Sequence, residues 1–139
     1  MTKNVFIKIK GLQFAAGSET IETNHKGTYG LVNGSHYISY EEKLQDSNIT
    51  INNLIKASPS QVIINKKNGI KSRLVFDMNE ITSNYYHTQY GSISLSIRTK
   101  SIVIKDKPDL FELKMEYSLL SGDSLISDNQ IYITLLPAQ

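Results

Sequence analysis

Three histidines, one pair of adjacent carboxylates and a set of tyrosines are the residues of this 139-residue chain best suited to chemistry. His25, His36 and His87 could each serve as a general base, but no serine in the chain sits in the sharp strand-to-helix nucleophile motif that a Ser-His-acid triad uses. His36 and His87 could ligate a metal together with Glu41 or Glu42 if a fold brought them together. Neither a His-x-His pair nor a helical His-x-x-x-His spacing supports that arrangement, so the expectation is no metal and no cofactor. Gly27-x-x-Gly30 has neither a following Lys nor a helix to lend its N-terminus, which argues against a phosphate loop and nucleotide hydrolysis. An enzyme is the less favoured reading and would require His36, Glu42 or His87 to converge in one cleft.

The Glu41-Glu42 pair carries more information. On a strand, adjacent side chains point to opposite faces, and taking Ile38 and Leu44 as inward puts His36, Tyr40 and Glu42 on the inner face. A carboxylate there needs hydrogen bonds or a raised pKa if it is buried, either of which can mark a binding site. An acidic side chain more often sits at a rim, reaching water. Tyrosine supplies most of the aromatic content, with eight Tyr, four Phe and no Trp. Tyr40, Tyr86, Tyr90 and Tyr117 fall within apparent strands, and each joins a large apolar ring to a hydroxyl that seeks a partner. Tyr40, Glu42, Tyr86, Tyr90 and Tyr117 are therefore the expected ligand-binding residues, for a small apolar or amphipathic molecule. The same tyrosines could equally be core. The parity of Tyr86, Thr88 and Tyr90 stays open, since Tyr85, His87 and Gln89 form an equally plausible inward row.

The elements that would position these groups are strands. Val5, Ile7 and Ile9 alternate with Phe6, Lys8 and Lys10; Ile93, Leu95 and Ile97 alternate with serines; Phe111, Leu113, Met115, Tyr117 and Leu119 alternate with Glu112, Lys114, Glu116 and Ser118. That period of two marks strands with one dry face. Asn33-Gly34 and Asn68-Gly69 suit two-residue type I′ turns, and Ser58-Pro59-Ser60, Asp77-Met78-Asn79, Asp106-Lys107-Pro108-Asp109 and Ser121-Gly122-Asp123 suit longer ones. The strands expected between such turns span 3–12, 19–33, 35–45, 48–57, 61–67, 70–77, 81–90, 92–105, 110–120 and 129–136. Short connections imply antiparallel neighbours, and closing such a long meander removes its exposed edges. The expectation is an all-β, closed antiparallel up-and-down barrel of about eight to ten strands, in a single domain over 1–139, with a two-sheet sandwich as the runner-up. Gly27 and Gly30 would allow the bend or bulge that closure requires.

Composition narrows the partners. Fifteen Lys and Arg against thirteen Asp and Glu leave a formal charge of +2, too small a surplus to imply nucleic acid. A patch formed by Lys8, Lys10, Lys66, Lys67, Lys71 and Arg73 would be interspersed with acids. The chain has no cysteine, the alternating start from Met1 to Gly11 does not resemble a signal peptide, and no apolar run approaches membrane length. These features point to a cytoplasmic protein without membrane contact, partnered by a small ligand or by another protein.

Gly27-x-Tyr29, Tyr37-Ile38-Ser39-Tyr40-Glu41-Glu42, Asn68-Gly69 with Phe76 following, Tyr86-x-Thr88-x-Tyr90-Gly91 and Ile97-x-Thr99 together give the chain a family likeness. From Val5 to about Ile133 it resembles the YwiB-like family of small bacterial proteins of unknown function. The resemblance implies a calycin-type barrel, lipocalin-like in shape, and brings no established activity or catalytic residues. Fold analogy to lipid-binding calycins does not carry a function with it.

Overall fold

A computed structural model describes residues 3–13, 19–43, 48–67, 72–88 and 91–138, with side chains at all of these except 12–13, 19, 72, 85–88 and 91–93. Ten strands follow one another along the chain. They are β1 (Lys3–Gln13), β2 (Glu19–Val32), β3 (Ser35–Lys43), β4 (Thr50–Ala57), β5 (Gln61–Lys67), β6 (Ser72–Asp77), β7 (Thr82–Thr88), β8 (Gly91–Lys107), β9 (Leu110–Ser121) and β10 (Ser124–Pro137). Every hydrogen-bonded pair is antiparallel, and the spatial order β6-β5-β4-β3-β2-β1-β10-β9-β8-β7 brings the first strand against the last. The result is the all-β up-and-down barrel expected from the alternating pattern, closed at all but one junction.

That junction is the seam between β6 and β7, the two ends of the sheet order. No backbone ladder joins these strands, and side chains take its place: the Val75 N–H donates to Asn84 Oδ1 at 2.9 Å, and the Thr82 hydroxyl donates to the Val75 carbonyl. An edge N–H and C=O left bare would cost free energy, and Asn84 and Thr82 satisfy both. Asn84 is buried there, with its amide also donating to the Thr82 carbonyl and hydroxyl.

The register sends alternate residues inward, as in any small barrel. Val5, Ile7, Ile38, Ile55, Val62, Phe76, Ile97, Phe111, Leu113, Met115, Ile133 and Leu135 form the core. Phe6, Lys8, Glu112, Lys114 and Tyr132, of opposite parity, face outward. Among the described residues no helix is long and apolar enough to cross a membrane.

Turn chemistry is visible at several connections. Asn33 and Gly34 both take positive φ, 50° and 81°, as a type I′ turn requires. The Asn79 N–H donates to Asp77 Oδ1, and Ser58 donates its N–H and hydroxyl to the Gln61 carbonyl. Asn68-Gly69 lies outside the described residues.

Two features differ from the sequence reading. The register runs unbroken through Gly27 and Gly30, whereas the bulges fall between Thr99 and Ser101 and between Leu125 and Ser127. The second bulge also lengthens β10, which begins at Ser124 instead of 129, because the extra residue breaks the alternation that marks a strand in sequence. Gly27 serves a close approach instead: a Cβ there would stand 2.1 Å from the Ser39 carbonyl oxygen and 2.7 Å from Ile7 Cδ1.

Candidate functional site

Successive connections alternate between the two ends of the barrel. One end, the base, carries the turns around 33–34, 58–60, 78–81 and 108–109; the other, the mouth, is where β1, β3, β5, β7 and β9 end and β2, β4, β6, β8 and β10 begin. The inward residues change character between them.

Near the base the interior is aromatic and filled. Tyr29 and His36 share a 2.7 Å hydrogen bond between the phenol oxygen and Nδ1, and both rings pack against Phe111, at 5.5 and 4.9 Å between centroids. Lys3 lies over the Tyr29 ring, and burial, with the Asp106 charge adding to it, raises the pKa of the Tyr29 hydroxyl. The hollow lined by Val5, Tyr29, Phe111 and Leu135 holds about 10 Å³, room for a single water.

Toward the mouth the inward row becomes polar. Register aligns Tyr40, Asn53 and Lys66 across β3, β4 and β5, with Glu42 one inward position further along β3. Asn53 Nδ2 donates to Glu42 Oε1 at 2.8 Å, and Lys66 Nζ approaches the same oxygen at 3.4 Å. Both charged side chains reach water, with 34 % of Glu42 and 37 % of Lys66 exposed, whereas Asn53 is only 1 % exposed. Gly27, directly across from Tyr40, leaves the Tyr40 ring free to stack on His25 at 4.3 Å. Burial, with the Glu42 carboxylate adding to it, pushes the Tyr40 hydroxyl up to about 12. Tyr40 therefore stays protonated and can act as a donor.

Two buried polar atoms in the interior have no partner among the described residues, Asn53 Oδ1 and Thr99 Oγ1. Thr99 aligns with Tyr117 and Asn129 across β8, β9 and β10, and the Asn129 amide donates to the buried Ser127 hydroxyl at 3.0 Å. The mouth end is thus lined by two polar rows, one on β3–β5 and one on β8–β10.

Of the residues singled out from sequence, Tyr40 and Glu42 come together, and Glu42 is both inward and partly wet. Tyr117 faces the interior on β9, edge-on to Phe76 at 4.9 Å. Tyr86 stands opposite Ile93, in the same alternate row of β7 as the buried Asn84, but its side chain lies outside the described residues, as does all of Tyr90. His36 is six residues from Glu42 on one strand, roughly 20 Å away, so the two cannot share a proton-transfer step. Sequence reasoning named His25 among the histidines and Lys66 in a surface patch without placing either beside Glu42, and it missed Asn53. Asn53 had a readable signal: it sits between Ile51 and Ile55 on the apolar parity of its strand, where an amide is out of place.

The described residues define an up-and-down barrel whose interior is aromatic and filled near the base and more polar toward the mouth. The chain belongs to the family DUF1934, a domain of unknown function, whose model matches residues 7–133. Among solved structures it is similar to the ywiB protein from Bacillus subtilis, with a TM-score of 0.83 at 19 % identity over 99 % of this chain and 94 % of that one. At that identity the likeness speaks for the fold. No match is found among curated proteins.

Proposed function

We propose that this protein is a cytoplasmic, non-catalytic binding protein that takes a small amphipathic molecule at the mouth of its barrel, against Tyr40, Glu42 and Asn53. The observation that carries the reading is the two buried atoms, Asn53 Oδ1 and Thr99 Oγ1, that have no partner among the described residues. A buried polar atom without a hydrogen bond costs about 1–3 kcal/mol, and a bound molecule that supplies a donor removes that cost. The filled base favours a ligand held at the mouth over one sunk in the apolar core. Barrels of this size can hold one small ligand, as the resemblance to calycins suggests. Tyr86, Tyr90 and Tyr117 belong to the proposal as further interior groups. Native mass spectrometry of the protein purified from its own host tests it: an added mass that Asn53→Leu loses supports the reading, and bare protein in every preparation counts against it.

A second reading, a protein-interaction module, draws on the outer face. Phe6 and Leu136, cross-strand partners and 45 % and 49 % exposed, line a hollow of about 540 Å³ between Lys8, Lys26 and Thr134. Exposed apolar patches of that kind commonly serve partners.

A further inference from the structure

From the chemistry of the mouth we infer that its ligand is electrically neutral and presents a hydrogen-bond donor and an acceptor on neighbouring atoms, as a primary carboxamide or a vicinal diol does. This rests on the reading of the mouth as a binding site.

Three features of the cluster select that chemistry. The Asn53 amide gives one N–H to Glu42 and keeps a buried carbonyl oxygen without a partner among the described residues, so a ligand that satisfies it brings an N–H or O–H. A second acceptor placed against Asn53 Oδ1, on a residue only 1 % exposed, would leave both unsatisfied. Glu42 and Lys66 neutralise one another, so the local charge sums to zero. A cation would have to share Glu42 with Lys66, and an anion drawn to Lys66 would lie against the Glu42 carboxylate. Either would meet a like charge directly beside its partner. Lys66 is half-exposed and holds Glu42 only at 3.4 Å, so it can turn one of its three donors to an acceptor on the ligand. The part-exposed His25 ring, stacked on the buried Tyr40 ring at 4.3 Å, is suited to a planar or ring-bearing molecule.

Four probes that share a phenyl ring separate the alternatives: benzamide, phenylethanediol, benzoate and benzylammonium. Binding is followed by NMR, through the side-chain amide resonances of Asn53 and the ring resonances of His25 and Tyr40. Benzamide or phenylethanediol should bind at least about tenfold more tightly than either charged probe, as one unsatisfied buried hydrogen bond implies. The stronger of those two tells which neutral group fits. Asn53→Leu should abolish the response, and Lys66→Met, which spares the core, should weaken it. Preference for benzoate or benzylammonium overturns the neutral-ligand inference while leaving the mouth as a binding site. Silence from all four probes, or an undiminished response in both variants, overturns the inference and the site together.

Discussion

Asn84 of β7 accepts a 2.9 Å hydrogen bond from the Val75 backbone N–H of β6, so an amide side chain does the work of a strand at the one junction where the barrel has no ladder. The buried Asn84 amide also holds the Thr82 carbonyl and hydroxyl. The Asn84 amide and the Thr82 hydroxyl together stand in for the missing ladder.

Asn84→Leu should cost about 1–3 kcal/mol, because it strips the Val75 N–H of its acceptor inside a closed interior. Urea denaturation measures the loss. Native-state hydrogen exchange should show the Val75 amide exchanging faster than its neighbours in β5; equal protection in the variant would refute the seam's dependence on this side chain.

Gly27 and Gly11 offer a matched comparison. Gly27→Ala forces a methyl against the Ser39 carbonyl and Ile7, and overpacking of that kind costs about 1–3 kcal/mol or more. A Cβ at Gly11 meets nothing within 4 Å, so Gly11→Ala should be neutral or slightly stabilising. Thermal melts of the two variants side by side decide the matter.

Alkaline stability should report on Tyr40. Its folded pKa is raised to about 12 from an ordinary 10, so the native state binds the proton more tightly than the unfolded chain. The stabilisation is complete below pH 10 and is lost as pH rises toward 12. Tyr40→Phe should flatten that limb of the stability profile. Glu42→Gln, which removes the smaller of the two causes, should lower the Tyr40 pKa only part of the way toward its ordinary value; tyrosinate absorbance follows the titration directly.

Asp128 provides an acid-side test away from the mouth. The Ser118 hydroxyl donates to Asp128 Oδ1 at 2.6 Å and Lys100 donates to the same oxygen at 2.9 Å, and together they hold the carboxyl below its usual value, the Ser118 bond foremost. The contribution to stability is present at neutral pH and fades as pH falls through the depressed pKa. Ser118→Ala and Lys100→Met should each raise the Asp128 pKa, as read from carboxyl chemical shifts.

The alternation of Val5, Ile7 and Ile9, and of Phe111 through Leu119, already determines which face of each strand is dry, because a period of two leaves a side chain no third direction. The same parity puts His36, Tyr40 and Glu42 on the inner face, and Asn33-Gly34 marks its turn through the positive φ that few other residues tolerate. Tertiary structure alone decides which inward residues meet. That depends on register between strands and on how far around the barrel each one lies, quantities set by the packing of all ten strands at once. Asn53 and Lys66 join Glu42 only because β4 and β5 pair with β3 at one particular offset, and His36 is carried to the opposite end by the length of the strand it shares with Glu42.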